Sequence, residues 1–141
     1  MGAALTQHPQ LFRAVVSFVG IYDMLRTEAT TPNAVFNVTQ YGTVGDAKQC
    51  EALYAYSPYH HLVDRTAYPA VLFLTGANDP CVNPMQSRKM TARLQAASTS
   101  GLPILLRTSA YSGHGASSVD EDIEQSADMF AFLFDQLGMQ R

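Results

Sequence analysis

The stretch Ala70-Val71-Leu72-Phe73-Leu74-Thr75-Gly76-Ala77-Asn78-Asp79 decides the fold. Its run from Ala70 to Leu74 is apolar at every position and reads as a buried strand. Strands buried on both faces belong to parallel sheets covered by helices. Two further runs read the same way: Ala14-Val15-Val16-Ser17-Phe18-Val19, ended by Gly20, and Ile104-Leu105-Leu106-Arg107. Strands are therefore expected near 14 to 19, 69 to 75 and 103 to 109.

Helical patterns separate them. Residues 2 to 8 read as a helix stopped by Pro9. Asp46 can cap a helix running to about Tyr56, where Ser57-Pro58 ends it. A third helix runs from about Pro84 to Ala97, with Met85, Met90, Leu94 and Ala97 on or near one face. A fourth runs from about Val119 to Leu137, with Ile123, Ala127, Phe130, Phe134 and Leu137 as its apolar stripe and Gly138 as C-cap. Phe130, Phe132 and Phe134 are expected in the core. Residues 22 to 45 are polar and turn-rich, with Thr30-Thr31-Pro32-Asn33 as a loop. Strands alternating with helices give an α/β fold, here three parallel strands with flanking helices in a single domain over residues 1 to 141.

Asp79 and His114 each fall just past the C-terminal end of an apolar strand, where open α/β sheets carry their sites. Their order, acid before base, matches the last two members of a Ser, Asp or Glu, His triad. No Gly-x-Ser-x-Gly turn occurs in the sequence. Each residue also has a plainer reading. Asp79 could cap the helix that begins near Pro84, and His114 could be an ordinary loop residue. His60-His61 could join His114 around a metal, but adjacent histidines point apart and no spacing supports a zinc site. Cys81 is close enough to Asp79 in sequence to be weighed as a nucleophile, yet it lies on no strand-to-helix elbow.

Composition excludes several classes. The 141 residues are 47% hydrophobic and 15% charged, which suits a packed globule. A net charge of -3 with scattered basic residues argues against nucleic acid or anionic membranes as partners. No apolar stretch reaches the roughly 18 residues needed to span a bilayer. Met1-Gly2-Ala3-Ala4-Leu5 lacks the basic and long apolar regions of a signal peptide, and its match to a myristoylation pattern is weak. Cys50 and Cys81 form no Cys-x-x-Cys pair and read as reduced thiols of a cytoplasmic protein. Asn37-Val38-Thr39 fits a glycosylation sequon of the kind that arises by chance.

Several segments together resemble the C-terminal part of the catalytic domain of the prolyl oligopeptidase family. They are Gln10 to Val16, Gly20-Ile21-Tyr22-Asp23-Met24-Leu25, Tyr41-Gly42, Tyr56-Ser57-Pro58-Tyr59-His60-His61, Tyr68-Pro69-Ala70-Val71-Leu72, Asn78-Asp79 with Val82 and Pro84, Gly113-His114-Gly115, and Ala127 to Leu133. The resemblance implies part of an α/β-hydrolase fold and serine-type cleavage of short peptides, typically after proline. It assigns Asp79 as triad acid and His114 as general base, with no cofactor and no metal. It also places the family's Gly-Gly-Ser-x-Gly-Gly turn a few residues before Met1, because Met1 to Leu5 resembles the helix that follows that turn. Where the family often carries an arginine two positions after the acid, this chain has Cys81, which offers no charged fork of donors.

A peptide substrate is thus expected only in the complete enzyme, and the isolated chain is expected to be inactive. The alternative is a non-catalytic dimerisation or partner-binding module derived from the same fold. A third reading is an esterase-like hydrolase using His114 with water or with Cys81. A homo-oligomer is expected, built mainly through residues 12 to 20 and the first helix, because the first strand lacks an outer neighbour.

Overall fold

The structure, a computed structural model, describes residues 1–31, 34–115 and 118–139. Three strands form a parallel sheet in the order β1 (Ala14–Phe18), β2 (Ala70–Gly76), β3 (Ile104–Ser109). The register pairs Val15 with Val71 and Val71 with Ile104. Every residue of β2 is buried, as its unbroken apolar run requires.

Six α-helices flank the sheet among the described residues. They are α1 (Gly2–Gln7), α2 (Met24–Thr30), α3 (Ala34–Tyr41), α4 (Ala47–Tyr56), α5 (Met85–Ala97) and α6 (Val119–Leu137). One core layer joins Leu5, Val15, Tyr22, Val71, Phe73, Met90 and Leu94. The other face of the sheet carries a smaller cluster of Ala70, Leu72 and Leu74 against Phe132.

Local signals explain several boundaries. The Asp46 carboxylate accepts from the Gln49 N–H at 2.9 Å and starts α4 as expected. On α5, Met90, Leu94 and Ala97 are fully covered, which confirms the inward face. Gly138 closes α6 with φ of 67°, the left-handed conformation that favours glycine at this position.

Two expectations need correction. Residues 22 to 45, read as polar and turn-rich with a loop from Thr30, contain two helices, α2 and α3, and Thr30 ends the first of them. Asp23 caps α2, its carboxylate accepting from the Arg26 N–H at 3.2 Å, and the Thr27 hydroxyl donates back to the Asp23 carbonyl at 2.7 Å. The Thr30 and Thr39 hydroxyls likewise donate to carbonyls four residues back, so the threonines that weaken the helical pattern are bonded within α2 and α3. Pro32 and Asn33 of the expected loop lie outside the described residues.

The second correction concerns α6. Only Phe132 of the three phenylalanines is buried; Phe130 and Phe134 are 50% and 36% exposed, and Ile123 and Leu137 also face out. A three-stranded sheet is too narrow to cover the whole helix. The side turned to the sheet also carries polar ties. Arg107 donates to Asp128 at 2.7 Å, and Arg13 donates to the Gln136 carbonyl at 3.0 Å.

Candidate active site

Two loops meet at the C-terminal edge of the sheet. The loop after β2 carries Asp79 and the loop after β3 carries His114. Backbone bonds staple them together: the Ala77 N–H donates to the Ser109 carbonyl at 2.9 Å and the Asn78 N–H to the Ser112 carbonyl at 3.1 Å. The Asn78 side-chain amide adds a bond to the Ala110 carbonyl at 3.0 Å. Gly76 makes this approach possible. A Cβ at that position would stand 2.0 Å from the Gly113 carbonyl oxygen and 2.5 Å from that of Ser112. Only a residue without a side chain admits backbone so close.

The result is an Asp–His pair. His114 Nδ1 lies 2.9 Å from Asp79 Oδ2 and 3.2 Å from Oδ1. The Asp79 side chain is fully buried, whereas that of His114 is 47% exposed. Asp79 Oδ1 also accepts from the N–H groups of Cys81 and Val82 at 2.7 and 2.9 Å. An ionised carboxylate only accepts, so Nδ1 carries the proton in this arrangement and Nε2 is left as the acceptor. The buried acid fixes the ring, and the half-exposed ring offers a basic nitrogen to whatever lies beside it.

Beside it is a cavity of about 430 Å³. Its walls are apolar and aromatic, with Val19, Ile21, Met24, Tyr41, Tyr56 and Val82 as the principal side chains. Met1, Gly2 and Ala3 at the start of α1 close one side, and His114 closes another. Val19 has a positive φ of 38°, which a β-branched residue rarely adopts. Its N–H is held by the Leu74 carbonyl at 2.9 Å, and the turn aims the chain from β1 into the cavity wall.

The sequence reading brought Asp79 and His114 to this edge but not the wall residues Val19, Ile21, Tyr41 and Tyr56. Tyr41 and Tyr56 sit at the ends of α3 and α4, and only the packing of those helices turns them toward the cavity. Burial raises the Tyr56 hydroxyl above its ordinary range, and the nearby Tyr41 adds to the rise.

His60 and His61 stay apart from His114. His60 Nδ1 pairs with the Ser57 hydroxyl at 2.8 Å, and His61 Nε2 lies 2.7 Å from the Tyr54 carbonyl. In the Asn37-Val38-Thr39 sequon on α3, the Asn37 side-chain nitrogen is buried while Thr39 is exposed. Among the described residues, no helix is long and apolar enough to cross a membrane.

Known proteins share this architecture. The model of the prolyl oligopeptidase family matches residues 1–140. The chain is 35% identical over 141 residues to a prolyl endopeptidase of Elizabethkingia meningoseptica, covering 99% of this chain and 20% of that protein. It is 36% identical to prolyl oligopeptidase ophP of Omphalotus olearius, covering 97% and 19%. A solved prolyl endopeptidase superposes with a TM-score of 0.94 at 39% identity, over 99% of this chain and 20% of that one. Oligopeptidase B from Leishmania major superposes with a TM-score of 0.91 at 25% identity, over the same shares. The chain thus spans about a fifth of the length of these relatives. The three parallel strands and their helices are part of an α/β-hydrolase fold, and the chain belongs to the prolyl oligopeptidase family.

Proposed function

We propose that these residues supply the acid and the base of a serine peptidase triad, with Asp79 orienting His114 and His114 acting as general base. The observation that carries this reading is the 2.9 Å contact between a buried carboxylate and a half-exposed imidazole. In such a triad the histidine takes the serine proton and returns it to the leaving amine, while the acid holds the tautomer and stabilises the imidazolium. A serine elbow leading into α1 would place its hydroxyl beside His114, because Met1, Gly2 and Ala3 share the cavity with that ring. The cavity's apolar and aromatic walls suit a small, non-polar residue such as proline on the acyl side of the cut bond.

The 141 residues by themselves are inactive in this reading. They contain no Gly-x-Ser-x-Gly nucleophile turn, and a triad without its serine forms no acyl intermediate. The test is a chimera in which this chain replaces the matching fifth of the Elizabethkingia meningoseptica enzyme. The chimera should cleave an acyl-prolyl amide, and His114→Ala should reduce kcat by about a millionfold. The isolated chain should show neither turnover nor stoichiometric labelling by a fluorophosphonate. An active His114→Ala chimera, or a labelled and active isolated chain, would overturn the assignment.

Self-association is the second part of the proposal. Strand β1 lies at a sheet edge, and Phe18 at its end is 45% exposed. Such an edge pairs readily with another chain. Val15, by contrast, is already covered by its own chain, so the contact runs through backbone and Phe18 rather than through the whole strand. Sedimentation at micromolar concentration should show a dimer that Phe18→Lys dissociates; a monomer throughout removes this part.

A further inference from the structure

We propose that Asp79, Cys81 and His114 form a binding site for a borderline transition-metal ion, with zinc the best match. One ligand atom from each of the three lies within 4.8 Å of the other two. In a tetrahedral zinc site, with bonds of about 2.0–2.3 Å, neighbouring donors stand roughly 3.3–3.8 Å apart. The widest of these separations has to close by about an ångström while the Asp79–His114 contact opens slightly, movements within reach of side-chain rotation.

The donor chemistry selects the ion. Thiolate sulfur, imidazole nitrogen and carboxylate oxygen are all zinc ligands, and three of them leave a fourth position open. Magnesium and calcium want oxygen donors alone and find only the carboxylate here. The frame is already built. Asp79 Oδ1 accepts the Cys81 and Val82 N–H groups, which fixes the thiol's backbone relative to the carboxylate. His114 is brought over both by the close contact of its loop with Gly76. The carboxylate is buried and the imidazole half-exposed, so an ion reaches the site from the His114 side. The other thiol, Cys50, lies on α4 outside this group.

The site shares its residues with the proposed triad but does not depend on that reading, since binding is measured without any peptide cleavage. An ion held here engages His114 and Asp79, so metal binding and proton transfer exclude one another.

Zinc chloride is titrated into the 141-residue chain by calorimetry and by thermal melting, and cobalt(II) reports the sulfur ligand through a thiolate-to-metal charge-transfer band. One ion per chain, a raised melting temperature and the band are expected. Cys81→Ser should abolish the band and weaken zinc about tenfold or more. His114→Ala should weaken zinc similarly, and its melting curve without metal shows directly whether the fold is kept. Cys50→Ser should change nothing. Absence of zinc-dependent stabilisation in the unsubstituted chain, zinc affinity indifferent to Cys81→Ser, or loss of the band in Cys50→Ser would each overturn the proposal.

Discussion

Two aspartates follow strands in this molecule, both are buried, and they serve different ends. Asp23 follows β1 and Asp79 follows β2. Asp23 caps α2 and forms an ion pair with Lys89, whose ammonium also lies 4.2 Å from the centre of the Tyr59 ring. Gln86 tightens the same turn, its side-chain oxygen accepting from the Tyr22 and Asp23 N–H groups at 3.0 and 2.7 Å. Its partners on α2 and α5, the Arg26 N–H and the Lys89 ammonium, hold those helices to the sheet. Asp79 is as well satisfied, but its charged face meets an imidazole that is half in solvent and borders a cavity. A buried carboxylate after a parallel strand is therefore not by itself a sign of catalysis. What differs between the two is the exposure and chemistry of the partner, and under the proposed triad only Asp79 bears on catalysis.

The sharpest way to break this comparison is to neutralise each aspartate in the peptidase chimera. Asp79→Asn keeps the shape but cannot hold the imidazole in the required tautomer, and a drop of about 10⁴-fold in kcat is expected with little change in melting temperature. Asp23→Asn should do the reverse. It leaves the Lys89 ammonium without its counter-charge in a largely enclosed setting and should cost about 3 kcal/mol of stability, with chemistry retained at temperatures where the protein is folded. Parallel kinetics and urea titrations decide the matter. Equal losses of activity and stability in both variants would erase the distinction.

A second test addresses what brings the loops of Asp79 and His114 together. Gly76→Ala forces a methyl group against the carbonyls of Gly113 and Ser112, which belong to backbone rather than to yielding side chains. The expected cost is about 2–3 kcal/mol together with displacement of His114 from Asp79. The second effect separates this variant from ordinary overpacking. The histidine ring resonances should lose the proton signal of an Asp-bound imidazole even under conditions where the chain remains folded. If that signal persists, Gly76 serves packing alone.

These contrasts also explain what could be read in advance. The apolar run at β2 and the two weaker runs beside it carry periodicity and composition that survive without any tertiary knowledge. So do the Asp46 cap, the Gly138 cap and the inward face of α5. Asp79 and His114 were legible because a polar residue just past a parallel strand has a defined place in space. The helices α2 and α3 were hidden because threonine and asparagine weaken the helical pattern. The Asp23 cap was a signal that could have exposed α2. The exposed stripe of α6 was misread because hydrophobic period tells which residues share a face, not whether the sheet is wide enough to cover that face. The cavity wall was illegible for a similar reason. Val19, Ile21, Tyr41 and Tyr56 come from different elements, and only their packing makes them neighbours.

The smallest expected effect refines the Asp23 side of the comparison, through His60. Its Nε2 lies 4.0 Å from Asp23 Oδ1, yet partial burial holds its pKa below the ordinary histidine value. Asp23 pulls the other way, while Lys89, His61 and Arg26 add to the lowering. A depressed value in the folded state means that the unfolded chain takes up this proton first as the pH falls. The corresponding stability is fully present above the ordinary histidine value, declines as the pH drops through it, and declines no further once the folded-state value is passed. His60→Gln should therefore flatten the loss of stability between about pH 7 and pH 5, with its largest benefit at the acidic end. Urea denaturation of parent and variant across that range measures the difference, which cancels the other histidines. If the variant instead loses ground as the pH falls, attraction to Asp23 outweighs burial, and the Asp23 network is more open to charge than its enclosed geometry implies.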